Sequence, residues 1–469
     1  MSVELGGYKY LFHGNHLIYG YIGYVFYSII KFLNMPLRAI HSLQIMNCLM
    51  GALSAVLFFK LAHAILKDVF LALVYTGCLI FSYVFWLWHI EVQVYPLGFL
   101  FLLAAAYILF INQHRNKYIL IGLLHALACL GHIVHIIWIP VVLYVIRDTK
   151  SKNNAFTYKT DMVKYGMSLI IPLFILYSAV TFFIIKPASL KAFIYFITGS
   201  AALTGEFKWI GDLPTIQRLG TWIVAAGRSL IGENLLNSFC APATQIPYPR
   251  GGNILQILTS SCLLILAGYG FYHIKLVYRK NKTILVACVI WICIYAVFFS
   301  SWQPGMITYH QSDLIPIWLF FILIIDIIPA QGIRRAISLL IGIGMFLNTF
   351  ITTIRPLTKR ENNPLLLKMD FIKNNSHEND IIIIEGAWDI VYVPYFAQRK
   401  YVNINKYKSR IHAIINDYYR KGSNIYVYNQ LIEKDRLREL GFYYKIQKQF
   451  IMNERFSLFN IIPIEKPHG

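Results

Sequence analysis

The chain has 469 residues, of which 57% are hydrophobic and only 14% charged, against about 25% charged in an ordinary soluble domain. That excludes a water-soluble globule, and a chain this apolar and this long is neither disordered nor a small disulfide-stapled scaffold. The formal net charge of +21 would suggest nucleic acid in a soluble protein. Here Lys and Arg gather in short segments between apolar runs, the pattern that sets orientation in a bilayer, so a lipid bilayer and no nucleic acid is the expected partner.

Residues 1–39 form an outer-face N-terminal segment. Its stretch 17–33 mixes apolar residues with Tyr, Gly and Ser before Asn34-Met35-Pro36, which suits a helix lying in the membrane interface better than a span. A span needs about 20 apolar residues to cross roughly 30 Å of hydrocarbon. About ten are expected within a transmembrane domain over 40–355: near 40–62, 69–88, 93–112, 118–131, 134–147, 165–186, 254–275, 283–300, 314–330 and 335–354. The pair between 118 and 147 is short, and Gly131-His132 breaks it into a hairpin. Six of the cysteines lie inside these segments, with no CxxC and no zinc-type spacing, so they read as small hydrophobes.

The connections then orient the chain. Arg115 and Lys117, the run Arg147/Lys150/Lys152/Lys159/Lys164, the set Lys275/Arg279/Lys280/Lys282, and Arg334-Arg335 are short and basic, which assigns them to the cytoplasm. Alternation places on the outer face residues 1–39, the turn near 89–92, the break at 132–133, the large loop 187–253, the loop 301–313 and everything after 355. Residues 1–39 then have no preceding span to carry them across, so a first transmembrane helix is expected to be missing. The large loop carries an amphipathic stretch over 214–232 and the cations Lys208, Arg218, Arg228 and Arg250.

Residues 356–469 read as a small soluble α/β domain outside the cytoplasm. Strands are expected at 380–385, 401–404, 425–428, 442–450 and 456–463, with a helix over 408–421 ending at Lys421-Gly422. No Gly-rich phosphate loop appears, and no cofactor is assigned.

Carboxylates on the expected outer face are few. Glu91 sits in the run Trp86–Pro96, an apolar context without a neighbouring Lys or Arg, where a carboxyl group has a raised pKa or a functional partner. His13 and His16 are three apart and share a face on a helical turn. No third ligand stands beside them, so a divalent metal is not indicated; the imidazoles suit donation to a phosphate or sugar, or a structural pairing. His132 and His135 flank the hairpin break, where an imidazole faces protein or a cavity. Trp302, Tyr309 and His310 suit a sugar ring or an isoprenoid headgroup, although interfacial anchoring accounts for Trp302 equally well. Arg250, beside Pro247-Tyr248-Pro249 and close to the next span, is the best phosphate contact among the loop cations.

Glu4-Leu5 followed by the run His13–Tyr19, then Phe85–Leu97, then Trp302–His310, resemble GT-C glycosyltransferases. These multi-pass enzymes are related to protein O-mannosyltransferases and take a sugar from a polyprenyl-phosphate donor. The resemblance runs through most of 1–355. It implies one acidic residue in the first outer loop and another in the second: Glu91 matches the second, and Glu4 is the acidic candidate for the first. Related sequences carry an Asp three residues before that Glu, where this chain has Met1. Catalysis is thus expected at Glu91 and Glu4, and substrate binding at His13, His16, Tyr95, His132, Trp302, His310 and Arg250, with a glycan, lipid or protein acceptor of the cell envelope. A lipid-linked glycan transporter is the alternative from another class. It would show midplane ionisable residues and paired broken helices in two related halves, and no internal repeat is visible. An inactive GT-C relative is the reading that the missing Asp favours.

Overall fold

In hydrocarbon a backbone must satisfy its own N–H and C=O groups, so isolated apolar runs become helices. The computed structural model, which describes residues 11–111, 116–150, 155–197, 215–232, 251–359, 363–385, 389–453 and 456–464, follows that rule up to Arg355. The chain divides into two compact units, Ser2–Arg355 and Pro356–Gly469.

The first unit opens with α1 (Tyr19–Phe32), whose exposed Tyr21, Val25, Ile29 and Phe32 share one face while Tyr19, Gly23 and Ile30 are buried. Helices α2 (Ala39–Leu66), α3 (Val69–Ile80), α4 (Tyr83–Ile90), α5 (Tyr95–Ile111) and α6 (Lys117–Gly131) follow. A 3-10 turn over Ile133–Trp138 leads into α7 (Ile139–Lys150), then α8 (Ala155–Ala179), α9 (Leu190–Ile197), α10 (Thr215–Ile231), α11 (Gly251–Tyr272) and α12 (Ile274–Trp302). A second 3-10 turn, Ile307–Gln311, precedes α13 (Leu314–Asp326) and α14 (Gln331–Thr349). Among the described residues, five helices are long and apolar enough to cross a membrane, Ala39–Leu66, Tyr158–Ile185, Ile254–Tyr272, Ile274–Trp302 and Gln331–Leu357. The bent pair α3–α4 would make a sixth, while α5, α6 and α13 are apolar but shorter. The expected count of about ten is not reached by this measure, because several of the apolar runs are short or broken.

Two expected boundaries change. The run 69–88 is not one straight span: α3 and α4 meet at 66°. Ser82, at the N-terminal boundary of α4, donates to the Cys78 carbonyl at 2.9 Å and accepts a hydrogen bond from the Trp318 indole at 2.9 Å, while the Thr349 hydroxyl donates to the Phe81 carbonyl at 2.5 Å. Side chains of neighbouring helices thus take up backbone and side-chain groups at the break, which is how a kink persists in apolar surroundings. The basic set 275–282 is helical and not a loop, since α12 begins one residue after His273 with non-helical backbone only at Asn281. Its lysines pair across to other helix ends, Lys280 with Asp326 at 2.9 Å and Lys282 with Asp148 at 3.1 Å, as Arg335 does with Asp68 at 3.0 Å. Of the loop 187–253, the described parts are helical, and α10 matches the amphipathic stretch.

The core is aromatic. Trp138, Trp291, Trp318, Tyr75, Tyr295, Phe99 and Phe299 are fully buried, and the Trp138 and Trp291 rings meet edge to face at 5.1 Å. Leu49, Leu53 and Val56 of α2 and Ile170 and Phe174 of α8 are exposed, the pattern of helices facing lipid. Helices α5 and α6 cross through two glycines: a Cβ on Gly131 would lie 2.8 Å from the Gly98 nitrogen, and one on Gly98 would lie 2.7 Å from His135 Nε2.

The second unit is built on a five-stranded sheet in the order β2-β1-β3-β5-β4, from β1 (Ile381–Ile384), β2 (Lys400–Asn403), β3 (Ile425–Tyr428), β4 (Tyr444–Asn453) and β5 (Phe456–Pro463). β1 pairs in parallel with β2 and β3, while β5 runs antiparallel to β3 and β4. The all-Ile β1 is buried on both faces, as parallel strands require. Ile381 and Ile383 pack with Ile411 and Ile415 of α16 (Ile411–Arg420). Ile382 and Ile384 pack with Met369 and Ile372 of α15 (Pro364–Asn374), a helix the sequence reading did not anticipate.

Candidate functional site

The residues before α1 form a strap laid over the break between α6 and α7. The Asn15 carbonyl accepts from the Ile133 amide at 2.8 Å, the Ile18 amide donates to the Leu130 carbonyl at 3.2 Å, and the Tyr177 hydroxyl donates to the Gly14 carbonyl at 2.6 Å. This fixes His13 and His16, whose rings stack at 4.2 Å and 14°. His13 Nδ1 accepts the Asn15 amide at 3.2 Å, which leaves its proton on Nε2. Burial lowers the pKa of both, His16 to about 3 with the help of neighbouring His13 and His132. They are uncharged N–H donors at neutral pH.

The glycine crossing of α5 and α6 brings the next groups together. His132 lies over the Tyr95 ring at 5.0 Å and 30°. Tyr309 meets Tyr95 edge-on at 6.0 Å and the His132 ring at 6.4 Å. Tyr309 is itself stacked on Phe299 at 5.0 Å and on Trp302 at 5.4 Å. His135 binds the Tyr295 hydroxyl through Nδ1 at 3.1 Å. The arrangement is a wall of imidazoles and phenols backed by aromatic rings, suited to donating hydrogen bonds to an anion and presenting ring faces to a sugar.

Glu91 follows the last residue of α4, four residues before Tyr95. Its carbonyl accepts from Asn47 Nδ2 at 2.6 Å, and the same amide donates to the Gln93 carbonyl at 2.9 Å. Asn47 Oδ1 in turn accepts from the Tyr19 hydroxyl at 3.2 Å. Desolvation by the surrounding chain raises the carboxyl above its ordinary range, offset in part by a hydrogen bond from the Gln93 side chain. Among the described residues Glu91 has no ion-pair partner.

Other expected site residues fall differently. His310 was expected at a substrate contact, yet it is fully buried, with Nδ1 2.8 Å from the equally buried Asp313 carboxylate. Its ring lies 5.5 Å from Trp222 of α10. Trp302 is engaged with Tyr309 and Phe298. Both stand behind the wall and hold it. Glu4 and Arg250 lie outside the described residues. Asn47, Tyr295 and Asp313 were not among the expected site residues, while Tyr309 stands where its loop suggested a sugar contact. Only Asp313 left a usable signal, an acid three residues after His310 and hence on the same helical face. Among the described residues no three His, Cys, Asp or Glu side chains gather to hold a metal.

No family model matches the chain, and no curated protein matches it in sequence. Among solved structures, ArnT from Cupriavidus metallidurans bound to undecaprenyl phosphate is similar over 98% of this chain and 91% of its own, at 10% identity and a TM-score of 0.57. The apo structure of the same protein covers 96% of this chain and 88% of its own at 10% identity, with a TM-score of 0.38. At that identity the likeness concerns the fold alone: the chain has the fold of ArnT.

Proposed function

We propose that the chain is a membrane glycosyltransferase that moves a sugar from a polyprenyl-phosphate donor to a glycan, lipid or protein acceptor on the outer face of the cell membrane. The observation that carries this reading is the stacked pair His13 and His16 beside His132, which packs on Tyr95 and Tyr309 close along the chain to Glu91, a carboxylate without an ion-pair partner among the described residues. It stands in a fold whose solved counterpart holds undecaprenyl phosphate.

In the reaction the bond between the sugar C1 and the phosphate oxygen breaks, its electron pair leaves with the phosphate, and C1 becomes oxocarbenium-like. The imidazole N–H groups donate to the departing phosphate oxygens, where fixed donors in a poorly solvated site are most effective. Glu91 takes the proton of the acceptor hydroxyl as its oxygen bonds to C1. Glu4 shares that duty, Arg250 adds a charge-assisted contact to the phosphate, and Trp302 and His310 support Tyr309 from behind. The polyprenyl chain enters sideways from the bilayer, and the C-terminal unit lies outside the cytoplasm.

The test is binding and transfer by the purified protein in lipid nanodiscs. Retention of undecaprenyl phosphate in native mass spectrometry, with transfer of radiolabelled sugar from its phosphate-linked form to an envelope fraction, is the expected outcome. Failure of the wild-type chain to bind undecaprenyl phosphate overturns the reading.

A further inference from the structure

On the outside of the first unit, α6 and α8 flank a groove of about 620 Å³. Its walls are fixed to each other: the Tyr165 hydroxyl of α8 is hydrogen-bonded to His125 Nδ1 of α6 at 2.7 Å, and a Cβ on Gly122 would lie 2.6 Å from the Tyr165 carbonyl oxygen. Two neighbouring rows of α8 side chains, four residues apart within each row, line the groove. Lys159, Thr160 and Lys164 stand toward the helix N-terminus, and Val163, Met167, Ile171 and Pro172 continue the lining. The α6 wall is apolar, made of Ile119 and Leu123. Lys159 is exposed and Lys164 half-buried. Neither has an ion-pair partner among the described residues, whereas Lys280, Lys282 and Arg335 are each paired with a carboxylate. Among the described residues no carboxylate lines the groove, and the neighbouring Asp161 is buried.

A groove that is cationic at one end and apolar along the rest selects an anionic amphiphile. The two lysines carry long, flexible stems that can converge on one phosphate. A zwitterionic phosphocholine would bring its own cation up against them, so a headgroup of net negative charge is preferred. Thr160 and Pro172 are twelve residues apart, about 18 Å along the helix. That is a little over half of the roughly 30 Å hydrocarbon thickness, the depth of one leaflet. Val163, Met167 and Ile171 are exposed along it, so an acyl chain reaches them directly from the bilayer. The site is remote from the histidine strap, which α8 meets at Tyr177, eighteen residues and about 27 Å beyond Lys159. A phosphate at the lysines therefore lies toward the opposite membrane surface from the strap and is not that of the proposed donor. We propose that the α6–α8 groove binds one anionic glycerophospholipid, with its phosphodiester on Lys159 and Lys164 and an acyl chain along Val163, Met167 and Ile171. The inference is independent of the glycosyltransferase reading and concerns no residue placed in its chemistry.

The test is native mass spectrometry of the full chain released from nanodiscs made of equal parts phosphatidylglycerol and phosphatidylcholine. The wild-type chain is expected to retain one phosphatidylglycerol in preference to phosphatidylcholine. Each lysine near a membrane surface is worth about fivefold in binding an anionic lipid, so Lys159→Gln combined with Lys164→Gln should lower the retention about 30-fold. Lys159→Arg combined with Lys164→Arg keeps both charges and should keep the lipid. Val163→Trp, at an exposed position of α8, narrows the groove and should reduce retention with both lysines in place. Lys60→Gln removes an exposed lysine of α2 that does not line the groove and should change nothing. Equal retention of the two lipids by the wild-type chain, or unchanged retention in the double glutamine variant, overturns the proposal. So does displacement of the phosphatidylglycerol by an equal amount of undecaprenyl phosphate, which would make the groove a carrier site. Failure of the wild-type chain to bind undecaprenyl phosphate at all, with phosphatidylglycerol retained, would overturn the proposed function and support this site.

Discussion

Asn47 of α2 holds the turn that carries Glu91, donating from one amide to the Glu91 carbonyl at 2.6 Å and to the Gln93 carbonyl at 2.9 Å. Asn47 is fully buried, and its oxygen is taken up by Tyr19. Asn47→Leu keeps the size and removes all three bonds. Each buried polar group left unanswered costs about 1–3 kcal/mol, so the variant should unfold at a distinctly lower temperature in detergent. Sugar transfer should fall further than stability alone explains, because the carboxylate would no longer be held in place. An unchanged unfolding temperature would show that the turn does not depend on Asn47.

Glu91→Gln preserves shape and removes the charge. General-base participation is worth roughly 10²- to 10⁴-fold in rate, and transfer should fall by about that much with little change in unfolding temperature at neutral pH. A carboxyl raised in the folded state favours folding below its unfolded pKa, and that advantage is lost as pH rises through the raised value. The activity of the wild-type chain should correspondingly decline on the acid side at a pH above the ordinary glutamate value of about 4.3. In the variant this limb should be absent from the pH–rate profile.

The α5–α6 crossing makes a packing prediction. Gly131→Ala would set a methyl against the Gly98 backbone at 2.8 Å, and backbone cannot swing aside as a side chain can. Overpacking of this kind costs about 1–3 kcal/mol and should also displace His132 from Tyr95. Gly77→Ala, where nothing lies within 4 Å, is the control and should be neutral or slightly stabilising. Equal behaviour of the two variants would mean that the helices do not approach as closely as described.

For topology, a reporter fused to the C-terminal unit should read as external, as basic segments at one set of helix ends require. A cytoplasmic signal would reverse the sidedness proposed for Glu91 and the histidine strap together.

Much of this was legible in the residues, for physical reasons that can be named. Four consecutive isoleucines bounded by Asp380 and Glu385 can only be a strand buried on both faces, and they are β1. Gly131-His132 broke the short hairpin as expected, since the helix ends at Gly131 and the backbone turns extended at His132. The bend at Phe81-Ser82 was not legible, because the hydroxyl and indole that stabilise it come from Thr349 and Trp318, far along the sequence. For the same reason the role of Asn47 was not legible: an amide inside a mostly apolar helix acquires meaning only from the carbonyls it meets. Burial is likewise a property of the assembled helices, and it turned His310 from an apparent surface contact into one half of an enclosed pair with Asp313.

The stacked His13 and His16 are uncharged because the fold keeps water from them. On the proposed function, a phosphate settling against such rings raises their basicity and draws a proton in from the aqueous side, which the departing phosphate returns. Binding of undecaprenyl phosphate should therefore tighten as pH falls, and its heat should vary with the ionisation enthalpy of the buffer. Buffer-independent heats would remove the proton from the exchange. Where the linkage holds, the acidity outside the membrane sets how readily the lipid carrier is captured, so the chemistry of the surroundings meters the supply of sugar.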